Sequence, residues 1–175
     1  MPGALAALAG ALLLAALSTF GDYVWAQHVP AHRVVFGLVH GTLLLMAVGL
    51  YLGVLRGRVF VGAAAGALVG LLAAASFYAL APLLGYSAMF VSWMALWLGF
   101  ALLDARLRGA AAPRETALRG VLAAVGSGLA FWAISGIWTR HEPGGPRYAY
   151  NFACWTLAFL PGFLALLLRA RPPRS

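Results

Sequence analysis

Ionisable side chains are scarce in the apolar segments of this chain, and three of them stand where a bilayer would surround or border them. Asp22 lies near the end of the first apolar segment, His40 about two turns into the second, and Asp104 at the end of the fourth. A charged side chain at the centre of a membrane helix costs about 2.5 to 3.5 kcal/mol on insertion scales. Each of the three is therefore a candidate functional residue.

Neutral polar residues in the same segments extend this set. His40 and Thr42 interrupt a segment that is otherwise mostly Leu, Val, Gly and Ala, so both side chains must face the protein interior or find a partner. Two interpretations of His40 stay open: a structural hydrogen bond, or the polar lining of a ligand cavity. The predicted ligand-binding residues are His40, Thr42, Ser76, Ser135 and Asn151.

The residue sets of the common catalytic sites are missing from the sequence. It has no Ser-His-Asp spacing, no carboxylate pair and no Gly-rich phosphate loop, and no run of intramembrane acids suggests a proton pathway. We therefore predict no catalytic residue and no cofactor. The lone Cys154 excludes an intrachain disulfide and a tetrathiolate metal site.

A metal site is one alternative that the sequence raises. The residues that could build it fall in the predicted outer loops or beside them: Asp22, His28, His32, His141 and Glu142. Pro30 lies between His28 and His32, however, and spoils the helical spacing that would aim both rings at one ion. We predict no metal site and interpret these histidines as facing solvent or lipid head groups.

The composition requires a membrane environment for the elements that position these residues. Of 175 residues, 63% are hydrophobic and only 9% are charged, whereas soluble domains carry about 25% charged residues. One span takes about 20 apolar residues. We predict an all-α domain of six transmembrane helices over residues 3–25, 34–55, 59–84, 87–103, 116–138 and 148–168. The first is interpreted as a retained helix, because no basic region or cleavage site marks a signal peptide.

The arginines predict the orientation of this bundle. All twelve basic residues are Arg, and six helices place nine of them on the side of both termini and three on the other side. Arg excess in short loops marks the cytoplasmic side, so both termini are predicted to be cytoplasmic. The net charge of +8 is thus a feature of membrane topology, and no basic stripe with interleaved aromatics suggests a nucleic-acid partner.

Small residues repeat every four positions on three of the predicted helices. The stripes are Gly62, Gly66, Gly70 and Ala74; Gly120, Ala124 and Gly128; and Gly3, Ala7, Ala11 and Ala15. Such stripes let helix backbones approach closely in a membrane. We predict that they pack helices within the chain. Pro161-Gly162 is predicted to kink the last helix.

Short motifs in three helices resemble one known family. Gly41-Thr42 with Val48-Gly49-Leu50-Tyr51 is similar to a Gly-Thr…Val-Gly-Leu-Leu-Tyr segment, and Ser135-Gly136-Ile137-Trp138 to a Tyr-Asn-Gly-Val-Tyr segment. Leu98 to Asp104, followed by Arg106, Arg108 and Gly109, resembles an aromatic helix end followed by Asp-Arg-Ser-Arg-Ser-Gly. These segments belong to the Insig family of sterol-response regulators and their bacterial relatives. The chain departs from the family at Asp104-Ala105-Arg106 and in the order of Cys154 and Pro161.

The resemblance implies a non-enzymatic protein with a lipid in a central cavity. The lipid is a sterol in animal members and diacylglycerol-like in bacterial relatives, and this chain is expected to lie in a bacterial inner membrane. Asp104 matches an aspartate implicated in partner binding in animal members, so it is the predicted partner-binding residue. Two alternatives stay open: a small transporter or channel, and a membrane enzyme acting on a lipid or quinone through His28, His32 and His141.

Overall fold

A computed structural model of the chain describes residues 3–28, 33–109, 112–138 and 148–168, without the side chains of residues 25–28, 86 and 135–138. Over these ranges the secondary structure is helical. The helices are α1 Gly3–His28, α2 Arg33–Arg56, α3 Val59–Leu84, α4 Ala88–Arg108, α5 Pro113–Trp138 and α6 Tyr148–Leu167, with a 3-10 turn at Gly85–Ser87. All six are long and apolar enough to cross a membrane. The predicted all-α, six-helix membrane protein is confirmed.

The helix boundaries differ most around the connection between α4 and α5. The predicted helices end at residue 103 and resume at 116, whereas α4 continues to Arg108 and α5 begins at Pro113. An apolar run marks only the part of a helix that lies in lipid. Gly109, with a φ of 66°, ends α4 by donating its backbone N–H to the carbonyls of Ala105 and Arg106. Pro113 suits the first helical position, where its missing N–H costs nothing.

The helices form a ring in chain order. Each helix from α2 to α5 packs along the helix that follows it, and α6 packs along α1. The contact between α1 and α2 is the smallest of these neighbouring pairs. It includes a hydrogen bond of 2.6 Å from the Tyr51 hydroxyl to the carbonyl oxygen of Ala6 and packing of the His40 ring on Gly21. We call this boundary the α1–α2 seam.

Glycines bring α2 and α3 into backbone contact. A Cβ atom on Gly66 would lie 2.5 Å from the carbonyl oxygen of Leu45 and 2.7 Å from the Cα atom of Gly49. A Cβ atom on Gly62 would likewise collide with the carbonyl oxygen of Gly49 and the Cα atom of Gly53. The predicted packing role of the α3 stripe is confirmed. The α1 stripe likewise packs inside the chain, since Ala7, Ala11 and Ala15 are fully buried and Gly3 lies against Leu167 of α6.

The core beside these contacts is aromatic. Trp97, Phe100 and Phe163 are fully buried, and Trp97 meets Phe163 edge to face with ring centroids 5.5 Å apart. The Trp97 ring occupies the space that a side chain at Gly162 would need, so a larger residue would not fit there. Pro161 lies inside α6, and the N–H of Gly162 after it donates to the Ser127 hydroxyl at 3.0 Å.

Candidate ligand cavity

A cavity of about 290 Å³ lies between five of the six helices. Its walls come from residues 18–22 of α1, 36–45 of α2, 70–78 of α3, 89–96 of α4 and 155–159 of α6. Because the helices alternate in direction, these stretches all belong to the same half of the bundle. The Arg56, Asp104 and Arg108 side chains lie at the opposite end. Both sides of the α1–α2 seam contribute to the lining.

Among the described residues that line the cavity, Asp22 is the one with a carboxylate. Asp22 is half-buried and accepts a hydrogen bond of 2.8 Å from the indole N–H of Trp155. The Asn151 side chain also hydrogen-bonds this carboxylate. Residues 151 and 155 are one helical turn apart on α6, so both reach α1 from the same face. Asp22 is thereby held in place by neutral donors.

Aromatic rings form much of the remaining wall. Trp155 and Phe159 stack with centroids 5.2 Å apart and an interplanar angle of 7°. Trp93 continues the stack, 5.3 Å from Phe159 at 13°. Phe36, Phe77 and Tyr78 line the cavity from α2 and α3. The carboxylate thus stands beside a wall of aromatic rings.

The predicted ligand-binding residue His40 lines the cavity at the seam. Its ring stacks on Phe36 with a centroid distance of 5.5 Å and an angle of 4°. It also lies on Gly21, in the space that a side chain at that position would occupy. His40 therefore bridges α2 and α1 by packing, and its ring edge borders the cavity.

The other predicted ligand-binding residues take different places. Ser76 lies behind the lining: its hydroxyl donates to the Ala73 carbonyl oxygen at 2.7 Å and is 3.1 Å from the hydroxyl of Ser92, which does line the cavity. Asn151 stands behind Asp22. Thr42 lies outside the lining and donates to the Leu38 carbonyl oxygen of its own helix at 2.7 Å. The side chain of Ser135 is outside the described residues.

The cavity residues Asp22, Trp155 and Ser92 were not among the predicted ligand-binding residues, although Asp22 was a candidate functional residue. Asp22 was grouped with the loop histidines because the first helix was predicted to end only three residues later. In the structure α1 continues to His28, which leaves Asp22 inside the bundle. A signal was present: a carboxylate within an apolar segment implies donors on another helix. Asn151 and Trp155, one turn apart near the start of α6, have that spacing.

Most of the residues considered for a metal site lie outside the part of the chain that the structure describes. His32, His141 and Glu142 lie between the described ranges, and the side chain of His28 is not described. Asp22 lines the cavity instead. Among the described residues, no three His, Cys, Asp or Glu side chains come close enough to share a metal ion.

Asp104 lies at the other end of the bundle and is 1% exposed. One carboxylate oxygen pairs with Arg56 of α2 at 2.9 Å, and the other pairs with Arg108 of its own helix at 2.8 Å. The arrangement links α2 to α4. The partner-binding role of Asp104 stays a prediction, and a partner would have to approach through the two arginines.

Comparisons of this chain with protein-family models, with curated proteins and with solved structures found no match. The resemblance to Insig proteins thus remains a prediction from the sequence.

Proposed function

We propose that this protein is a non-enzymatic, multi-pass membrane protein that binds a lipid in the cavity between its helices. The observation that carries the proposal is the cavity itself, with an aromatic wall and one carboxylate at its polar side. Ligand pockets in proteins are typically about 300 to 1,000 Å³ and combine apolar walls with a few polar groups. A cavity of about 290 Å³ suits a head group and the first part of a chain.

The α1–α2 seam supports entry from the bilayer. Next to it, the outward-facing residues are apolar: Phe20 on α1 is 64% exposed, and Val39 and Leu43 on α2 are each 53% exposed. In a six-span protein these side chains face lipid. A ligand passing between α1 and α2 would therefore come from the membrane, and its apolar chain could stay in the seam while its polar end lies inside.

The polar residues of the lining favour binding over catalysis. Ser92 donates its hydroxyl to the Ala88 carbonyl oxygen and approaches Ser76, not a histidine or carboxylate. His40 is engaged by ring stacking and forms no ion pair with Asp22 among the described contacts. A nucleophile next to its base, as acyl or phosphoryl transfer would need, is not formed by these side chains.

Membrane orientation and location complete the proposal. Nine arginines on one side and three on the other support cytoplasmic termini, and the resemblance to Insig relatives supports a bacterial inner membrane. Asp104 and its arginines then face the cytoplasm, and the cavity lies in the outer half of the bundle.

We predict that cysteine labelling will show this orientation. Ser87 and Ala112 are exposed on opposite sides of the bundle, and the natural Cys154 is buried, which keeps the background low. With a membrane-impermeant maleimide on intact spheroplasts, Ser87→Cys should react and Ala112→Cys should react only after permeabilisation. The reverse pattern would show the opposite orientation.

We predict that filling the cavity will remove a co-purifying lipid. Ala73 lines the cavity, so Ala73→Leu places three extra carbon atoms inside it. Native mass spectrometry of the purified protein should show a lipid adduct for the wild type and a reduced adduct for Ala73→Leu. The matched control is Ala64→Leu on the same helix, because Ala64 is exposed and should keep the adduct.

Two further results bear on this proposal. Thermal unfolding of both variants separates loss of the ligand from loss of the fold. A wild-type protein that carries no lipid and gains none from added lipid, or an Ala73→Leu variant that is folded and fully loaded, would contradict binding in this cavity.

A further inference from the structure

Asp22 differs from the other described acidic residues in lacking a cationic partner. Within residues 3–28, 33–109, 112–138 and 148–168, Asp104 pairs with Arg56 and Arg108, and Glu115 pairs with Arg119. Asp22 receives only neutral donors, from Trp155 and Asn151. Asp22 also lies within the candidate span Gly3–Val24, where a charge without a counter-charge is costly.

The surroundings of Asp22 are chemically suited to a cation. Trp155 donates to the carboxylate, and its ring belongs to the stack of Trp155, Phe159 and Trp93 that lines the cavity. The faces of these stacked rings pack on one another, so the aromatic wall offers apolar surface for an alkyl chain. The Asp22 carboxylate beside this wall would attract an ammonium group by its charge.

We propose that the cavity binds a lipophilic amine, with its ammonium group against Asp22 and its apolar chain along the aromatic wall toward the α1–α2 seam. This inference rests on the proposed function and names the ligand class. It replaces the neutral lipid that the Insig resemblance implies with a cationic one. The ammonium would supply the counter-charge that the described protein contacts do not give Asp22.

The lining also separates an amine from a phospholipid head group. A zwitterionic head group would bring its phosphate into the cavity together with the ammonium. Phosphate recognition calls for Arg, Lys or a cluster of backbone N–H groups, and the described lining contains no Arg; its one basic side chain is His40. The site therefore fits an amine without a phosphate.

The experiment compares three probes with the same chain length in a non-ionic detergent. Dodecylamine, 1-dodecanol and dodecylphosphocholine are titrated against the purified full-length protein, with native mass spectrometry and quenching of tryptophan fluorescence as readouts. We expect dodecylamine to bind at least about tenfold more tightly than dodecanol, the scale of one charge-assisted contact. Dodecylphosphocholine should bind more weakly than dodecylamine.

Variants assign the effect to the carboxylate. Asp22→Asn keeps the shape and removes the charge, so it should lower dodecylamine affinity about tenfold and leave dodecanol affinity unchanged. Glu115→Gln is the matched control, since it removes a carboxylate that lies away from the cavity, with its side chain 53% exposed. Trp155→Phe keeps an aromatic side chain but loses the indole N–H, and should retain a preference for the amine.

Each outcome decides a different point. Equal binding of amine and alcohol, with no effect of Asp22→Asn, would overturn the amine and leave lipid binding standing. Binding of none of the probes would contradict the proposed function itself. Dodecylphosphocholine binding as tightly as dodecylamine would overturn the exclusion of phosphate. Where Asp22→Asn does not fold, the amine-to-alcohol ratio of the wild type decides the inference.

Discussion

Replacing both Arg56 and Arg108 with Gln is expected to destabilise the bundle by about 3 to 5 kcal/mol, the cost of a buried charge that loses its partners. The Asp104 side chain is 2% exposed and pairs with both guanidinium groups, and the two arginine side chains are only 20% and 23% exposed. Without them the carboxylate stays buried with no counter-charge. Either single replacement leaves one ion pair and should cost clearly less than half as much.

The measurement is the free energy of unfolding in mixed micelles, by SDS titration with helix content as the readout. Adding Asp104→Asn to the double variant removes the stranded charge and should recover most of the lost stability. The matched control is Glu115→Gln, which removes the exposed carboxylate of the Arg119–Glu115 pair and leaves the Arg119 hydrogen bonds to the carbonyls of Leu166 and Leu168 in place; it should cost about 1 kcal/mol or less. A triple variant no more stable than the double variant would show that the carboxylate charge is not the cause.

The elements of this fold were predictable because a bilayer leaves few alternatives. Runs of about 20 apolar residues must form helices that satisfy their own backbone hydrogen bonds, and the breaks at Arg56-Gly57-Arg58 and Gly85 are marked by charge and by glycine. Both glycines have positive φ angles, 69° and 55°, which explains their positions. The extension of α4 past Asp104 was not predicted, because hydropathy marks the lipid boundary and not the last hydrogen bond.

The cavity was less predictable, because it depends on which helices meet. The sequence shows that His40 needs an interior position, but not that its ring would lie on Gly21. Thr42 and Ser76 were predicted from polarity alone, and both satisfy part of their hydrogen bonding on their own helix, which removes the need for a ligand. Asp22, in contrast, is hydrogen-bonded to side chains of another helix. Its donors come from α6, 133 residues away at Trp155, and that pairing follows only once α6 closes the ring against α1.

Gly66→Ala is expected to destabilise the bundle by about 1 to 3 kcal/mol, the usual cost of forcing an extra carbon into a closely packed interface. The added Cβ would lie 2.5 Å from the Leu45 carbonyl oxygen and 2.7 Å from the Gly49 Cα atom. Both are backbone atoms, so no side chain can rotate away and the whole of α2 must move. Moving α2 also displaces Gly41, Leu44 and Leu45, which line the cavity, so ligand binding should weaken together with stability.

Gly128→Ala is the control that separates this contact from the general effect of replacing glycine in a helix. Its added Cβ would meet nothing nearer than 3.8 Å, the ring of Phe90, and alanine is favoured over glycine in a helix by up to about 1 kcal/mol. The two substitutions are chemically identical and should have opposite signs: loss of stability at Gly66, and no change or a gain at Gly128. Equal effects at both positions would mean that the α2–α3 backbone contact does not limit stability. The cavity would then have to be held by the aromatic packing of α4 and α6.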